Sequence, residues 1–259
     1  MNRTAKCAAV LLGASLLALA VTSRAAESIP PGTILPVRLN STLSSAKAKP
    51  GQVITARVMQ DVPLPDGRTI HAGATVIGHI TSVTPASNGT AARLSLRFDA
   101  LKVSHERIPI TTNLRAVASF MEVDEAQIPT MGPDRGTPQD AWTTTQIGGD
   151  AVYRGGGPVD SAFGRVGKPV DDGVLDQLNA NPDGGCRAAV DSNDAAQALW
   201  VFSSNACGTY SLPDLKIAHT GRTDSTGEIT LESTKGQVKI GGGAGLLLRV
   251  NSPGAPSGA

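Results

Sequence analysis

Short apolar runs separated by turn residues occupy both ends of the chain. In the segment RLSLRFDALKV, Leu94, Leu96 and Phe98 alternate with polar residues, which is the period of two that places side chains on opposite faces of a β-strand. Turn sequences such as PDG at residues 65–67 separate these runs, because Asp and Gly tolerate the backbone angles of tight turns. The pattern predicts strands at residues 34–39, 53–60, 75–84, 92–103, 107–112, 228–232, 237–240 and 246–250.

The middle of the chain, residues 136–219, follows a different pattern. Alternation gives way to Gly-rich and Asn/Asp-rich stretches, and only residues 172–179 carry a helical arrangement of apolar positions. We therefore predict an all-β fold, a small β-barrel or sandwich formed by residues 32–135 and 220–251 and closed by a C-terminal strand. A long, irregular, disulfide-containing insertion at residues 136–219 interrupts it, and residues 252–259 form a disordered tail.

The first 25 residues have the pattern of a secretory signal peptide. Arg3 and Lys6 precede an apolar stretch at residues 8–21 that is too short to span a bilayer comfortably. Small residues at Ser23 and Ala25 fit the signal-peptidase rule, so we expect cleavage after Ala25, with an uncleaved anchor as the alternative. The sequence thus predicts an exported protein, periplasmic or extracellular, without a membrane span after cleavage.

Cleavage would leave the exported chain nearly neutral. Removing Arg3, Lys6 and Arg24 leaves two more acidic than basic residues, and no basic run occurs in the sequence. Nucleic acid and anionic membranes attract clustered positive charge, so neither is an expected partner. We expect an envelope or extracellular protein, or a glycan, as the partner.

Cys186 and Cys207 are the two cysteines that remain after export. In an oxidising compartment, two cysteines that close a short loop typically form a disulfide. The chain-entropy model gives such a loop about 3 kcal/mol of stabilisation. Free thiols and a shared metal ion are the alternatives, although no His/Cys cluster accompanies the pair.

The sequence contains no convincing catalytic or metal-binding motif. The four histidines lack metal-ligand spacing, and the Gly clusters do not open helices that could hold phosphate. We therefore predict no enzyme activity, no cofactor and no metal. The clustered acids that a hydrolase could use are Asp171, Asp172 and Asp191.

Aromatic residues concentrate in the predicted insertion, which contains six of the eight in the chain. Exposed aromatic rings stack on sugars or contribute to recognition surfaces, whereas buried ones fill a core. Both interpretations remain open for the insertion. The candidate binding residues are Trp142, Tyr153, Trp200 and Tyr210.

Four consecutive segments carry a family resemblance: GTILPVRLNSTLSS, GQVITARVMQDV, DGRTIHAGATVIGHITSV and ARLSLRFDALKV. Their order resembles the C-terminal β-barrel domain of the scaffold protein of type IV secretion and conjugation channels, and a broad set of uncharacterised exported bacterial proteins. VKIGGGAGLLLRV resembles the last strand of that domain. The resemblance covers about residues 32–114 and 228–251, and its motif positions are Gly32-Thr33-Ile34, Asp61-Val62, Gly73-Ala74 and Gly78.

The chain departs from that family in two places. The first strand starts within ten residues of the expected cleavage site, where the family has a membrane helix and a proline-rich stretch. The Gly-rich insertion stands where the family has pore-forming helices. The resemblance therefore implies an exported barrel that does not form a pore. We predict a non-enzymatic scaffold or interaction protein that binds through its insertion; the alternatives are a carbohydrate- or peptidoglycan-binding module that uses the insertion aromatics, and a hydrolase with an unrecognised site.

The expected cleavage after Ala25 can be tested directly. Mass spectrometry of the mature protein should find Ala26, or a neighbouring residue, at the N-terminus, because signal peptidase reads the small residues before it. An intact form that starts at Met1 and fractionates with membranes would contradict cleavage.

Overall fold

The computed structural model describes residues 28–87, 90–129, 142–179, 195–218 and 227–251. The fold in these ranges is all-β with one short helix. The elements in chain order are β1 (Ile34–Leu39), β2 (Leu43–Ser44), β3 (Val53–Val58), β4 (Val62–Pro63), β5 (Thr69–Ile70), β6 (Thr75–Thr84), β7 (Arg93–Val103), β8 (Glu106–Pro109), β9 (Thr112–Ala118), α1 (Phe120–Glu125), β10 (Thr143–Thr145), β11 (Ala151–Tyr153), β12 (Val159–Ser161), β13 (Gly164–Val170), β14 (Gly173–Asp176), β15 (Gln197–Ala198), β16 (Gly208–Tyr210), β17 (Leu215–Ile217), β18 (Ile229–Ser233), β19 (Lys239–Ile240) and β20 (Gly245–Val250).

Ten strands form the main sheet, in the order β16-β9-β20-β1-β3-β6-β7-β18-β17, with β8 paired to β7. The C-terminal strand β20 runs antiparallel to both β1 and β9, with Leu35 opposite Leu248 on one side and Val117 opposite Leu246 on the other. The strands before and after the predicted insertion therefore belong to one sheet, and β20 lies in its interior.

The prediction that the main sheet closes into a barrel is wrong. The sheet ends at β16 and β17, and no strand pairing within the described ranges joins these two ends. The hydroxyl of Thr209 on β16 does donate to the carbonyl of Leu215 on β17, at 3.2 Å. Both end strands come from the region assigned to the insertion, so short segments of three residues occupy the edges where a barrel would have closed.

The insertion is more regular than the sequence suggests. A second sheet of six strands has the order β10-β11-β12-β13-β14-β15, so the expectation of an irregular segment is wrong. The helix expected at residues 172–179 is instead strand β14, which pairs with β13 and β15. The helix α1, which the sequence analysis did not find, begins after Ser119, whose side chain accepts a hydrogen bond from the backbone N–H of Glu122 at 3.2 Å.

Two apolar clusters lie on opposite faces of the main sheet. Leu246 and Leu248 of β20 belong to the larger cluster, whereas Leu247 belongs to the smaller one. The smaller cluster also contains Val174 and Phe202, which come from the insertion. All residues of β9 and β20 are buried, because the insertion covers the outer face of strands whose inner face already packs on the larger core.

The side chain of Gln60 joins the insertion to the main sheet. Its carbonyl oxygen accepts hydrogen bonds from the backbone N–H groups of Trp200, at 2.7 Å, and Val174, at 3.2 Å. Its amide donates to the carbonyl of Val174 at 2.7 Å. A Cβ atom at Gly173 would lie 2.0 Å from the Gln60 carbonyl oxygen, so the contact requires glycine there.

Arg115 makes a second polar connection from the centre of β9. The pairing of β9 with β20 skips Arg115, which is the extra residue of a β-bulge, a feature that redirects a side chain. The buried guanidinium donates to the carbonyls of Ala206, at 2.9 Å, and Asn179, at 2.7 Å, in the insertion. Burial lowers the pKa of Arg115 to about 10, so the group stays charged at neutral pH and depends on these carbonyls.

The Gln60→Leu variant should test the connection between insertion and sheet. We expect the free energy of unfolding to fall by about 3 kcal/mol, because the buried backbone N–H groups of Trp200 and Val174 lose their partner and each costs about 1–3 kcal/mol. The Val174 carbonyl keeps the hydrogen bond from the backbone N–H of Leu199. Urea denaturation followed by tryptophan fluorescence measures this change. The matched control is Gln52→Leu at an exposed position, which should change stability by less than about 0.5 kcal/mol. Equal effects at the two sites would contradict the role of Gln60.

Candidate functional site

An open cleft of about 900 Å³ lies where the insertion meets the main sheet, and we call it the seam cleft. Strand β3 and the turn before β6 form one wall, and segments of the insertion form the other. A smaller cavity of about 390 Å³ lies beside the β4–β5 hairpin but contains no aromatic residue. The seam cleft is lined by Arg57, Val58, Met59, Ala72, Gly73, Gln127, Trp142, Thr144, Arg154, Gly156, Pro169, Val170, Asp171, Asp172, Trp200 and Val201.

Two arginines and one tryptophan give the seam cleft its chemical character. Arg57 is exposed on β3 and approaches from the main sheet. Arg154 follows β11, and its backbone N–H donates to the carbonyl of Trp142 at 2.8 Å, so the insertion's sheet holds these two residues side by side. The Arg154 guanidinium donates to the carbonyl of Gly173 at 2.9 Å, and burial lowers its pKa.

The turn between β13 and β14 places two exposed carboxylates at the rim of the cleft. Val170 pairs with Gly173, which leaves Asp171 and Asp172 as the two turn residues. Asp172 has a φ of 61°, a left-handed conformation that Asp adopts more readily than most residues. The sequence-predicted acids Asp171 and Asp172 thus lie in the seam cleft, whereas Asp191 lies outside the described residues.

The four candidate aromatic residues occupy different environments. Trp142 is partly exposed in the seam cleft, whereas Trp200 contributes to the cleft wall but is only 3% exposed and belongs to the smaller apolar cluster. Tyr153 is 41% exposed on β11, outside the cleft lining. Tyr210 is partly buried on β16, and its hydroxyl accepts a hydrogen bond from the backbone N–H of Cys207 at 3.0 Å.

The predicted disulfide has one cysteine in the described part of the chain. Cys207 is buried next to β16. Cys186 lies outside the described residues, so the pairing of Cys186 with Cys207 stays a prediction.

A buried pair of carboxyl groups was missed by the sequence analysis. Asp176 on β14 is fully buried, and Asp150, before β11, is 1% exposed. The Asp150 carboxylate accepts a hydrogen bond from the backbone N–H of Ser204 at 2.7 Å. Burial, and then the neighbouring charge of Asp150, raise the pKa of Asp176 to about 8. At neutral pH Asp176 is therefore mainly protonated, and its proton can be shared with Asp150.

No sequence signal connects these two acids, since 25 residues separate them and only the tertiary structure brings them together. Within the described ranges, no group of three or more His, Cys, Asp and Glu side chains converges as a metal site. In the same ranges, no helix has both the length and the apolar character needed to cross a membrane.

No protein-family model matches the chain, and no curated protein matches it.

The buried carboxyl pair predicts how stability depends on pH. Folding raises the pKa of Asp176 from its ordinary value of 3.8 to about 8. The stability that depends on the protonated carboxyl is therefore fully present below about pH 4 and is lost as pH rises to about 8. Asp176→Asn should remove this loss. Relative to the wild-type protein, we expect the variant to gain on the order of a few kcal/mol between pH 4 and pH 8.

The measurement is the free energy of unfolding of both proteins from urea denaturation across this pH range. Asp171→Asn, at an exposed carboxylate, is the matched control and should change the free energy of unfolding by less than about 0.5 kcal/mol. A difference between Asp176→Asn and the wild-type protein that stays constant with pH would contradict a raised pKa.

Proposed function

We propose that the protein is an exported, non-enzymatic interaction protein of the cell envelope or the extracellular medium that binds a partner protein in the seam cleft. The observation that carries the proposal is the composition of this cleft. Charged and aromatic residues from the insertion face exposed groups on the main sheet across an open space of about 900 Å³. Binding sites of this kind combine apolar walls with a small number of polar groups that fix orientation.

The way in which the cleft is built also supports a binding role. Both walls are fixed by the buried contacts of Gln60 and by the smaller apolar cluster, so the site does not have to form upon binding. The signal peptide predicted from the sequence and the resemblance to the type IV secretion scaffold both fit an exported protein with a scaffold role, and they stay predictions.

A second candidate function is binding of carbohydrate or peptidoglycan. Trp142 favours it, because a partly exposed indole next to Arg and Asp side chains could stack on a sugar ring. Trp200 is too deeply buried to serve as a stacking platform in this conformation. The hydrolase alternative has weaker support, since Asp171 and Asp172 are adjacent and exposed whereas the buried pair Asp150 and Asp176 does not reach solvent.

Site-specific photo-crosslinking tests the protein-binding proposal. A photoreactive amino acid replaces Gln127, an exposed residue of the cleft lining, in the cells that make the protein. We expect one defined protein adduct that is lost when Trp142→Ala is added. The matched control carries the photoreactive residue at Gln52, which is exposed outside the cleft, and should form no such adduct. Equal adducts at both positions, or adducts that do not depend on Trp142, would contradict binding in the cleft.

Sedimentation with purified peptidoglycan separates the second candidate from the first. If the glycan is the partner, the protein should co-sediment with it, and Trp142→Ala should weaken the binding by about tenfold, as expected for the loss of one stacked ring. Tyr153→Ala, which removes an exposed ring outside the cleft, should have no effect. Co-sedimentation without any crosslinked protein would favour the glycan.

A further inference from the structure

The guanidinium of Arg154 is partly buried in the wall of the seam cleft and has no anionic partner in the described part of the chain. Its only hydrogen bond there is the one from Nη1 to the carbonyl of Gly173, at 2.9 Å. None of the salt bridges between described residues includes it. Among the residues that the structure describes, desolvation alone lowers its pKa, so none of their charges compensates for the burial.

This arrangement is unusual because proteins normally pair a buried charge. Desolvation of an ion costs free energy that an opposite charge or several hydrogen bonds must offset. The guanidinium has five N–H donors in a planar fork, and a single carbonyl satisfies one of them. Arg115 is satisfied differently, since two carbonyls of the insertion that lie outside the seam cleft accept hydrogen bonds from its guanidinium. Arg154 instead lines an open cleft, where a ligand can supply the missing acceptors.

The surroundings of Arg154 favour a carboxylate on a peptide. A carboxylate matches the fork of a guanidinium with two parallel hydrogen bonds. Arg57 adds a second positive charge on the opposite wall, and Met59, Val170 and Trp142 offer apolar surface to neighbouring side chains. Asp171 and Asp172 oppose an anion, but like Arg57 they are exposed to water, where interactions between charges are screened. The partly buried guanidinium of Arg154 is screened less and therefore contributes most to anion binding.

We infer that Arg154 anchors a carboxylate of an extended peptide segment in the seam cleft. This inference rests on the proposed function and names the chemical group through which the partner is recognised. Arg57 guides the same anion from the main-sheet wall, and the indole of Trp142 covers the adjacent part of the peptide. Anionic sugars share the carboxylate chemistry and therefore form a separate arm of the test.

The test uses the mature protein and small probes of defined chemistry. The probes are an acetylated alanine tripeptide with a free carboxylate, the same tripeptide as its amide, and trigalacturonate. Nuclear magnetic resonance follows the Arg154 Nε–H and Trp142 indole signals during titration with each probe. We expect the free-carboxylate tripeptide to shift both signals and to bind at least about tenfold more tightly than the amide, as a charge-assisted hydrogen bond requires.

Variants separate the geometry of the guanidinium from its charge. Arg154→Gln should abolish the preference for the carboxylate, and Arg154→Lys should retain part of it, because an ammonium keeps the charge but loses the two-pronged geometry. Arg165→Gln is the matched control, since Arg165 is an exposed arginine of the insertion outside the cleft. If Arg154→Gln does not fold, the comparison of the two tripeptides on the wild-type protein still decides the matter.

Each remaining outcome has a definite meaning. Equal binding of the carboxylate and amide tripeptides, or no shift of the Arg154 signal with either, overturns the anchor role. If the Gln127 crosslink nevertheless forms, the proposed function stands without this anchor; if it is also absent, both fail. Binding of trigalacturonate without binding of the tripeptide overturns the peptide and assigns the carboxylate to a glycan.

Discussion

The fold depends on the docking of the insertion onto the outer face of the main sheet. Strands β1, β9 and β20 already pack their inner faces on the larger apolar core, and without the insertion their outer faces would expose Ile34, Ala116 and Leu247 to water. Apolar burial drives the docking. It has no preferred direction, however, so the polar contacts of Gln60 and Arg115 determine where the insertion sits.

The seam cleft is a consequence of this docking. Neither sheet contains it alone, because its walls come from β3 and its neighbouring turn on one side and from the insertion on the other. Gly173 contributes both to the docking of the insertion and to the cleft. Its backbone packs on Gln60, and its carbonyl accepts a hydrogen bond from the Arg154 guanidinium. The position of the candidate anion anchor is therefore coupled to the contact that fixes the insertion.

Buried ionisable groups near this interface are accommodated in two different ways. Asp176 faces Asp150, and it avoids a buried double negative charge by keeping its proton at neutral pH. Arg115 cannot do the same, since a guanidinium whose pKa is lowered only to about 10 remains charged, so it requires the carbonyls of Ala206 and Asn179. The carboxyl pair makes the free energy of unfolding depend on pH. The buried Arg115 makes it depend on the position of the insertion, whose carbonyls are the hydrogen-bond acceptors.

The sequence by itself determined the all-β class and the principal strands β1, β3, β6, β7, β18 and β20. These strands have enough residues for alternation to be visible, and their composition carries the signal. It also selected Trp142, Asp171 and Asp172, which the structure places in one cleft. Tertiary structure alone decided that residues 173–176 form a strand, that β16 and β17 extend the sheet in place of barrel closure, and that Arg57 and Arg154 share a site. The physical reason is that strands of two to four residues contain too few side chains to show a period. Their conformation and the burial of their charges are fixed by partners distant in the chain.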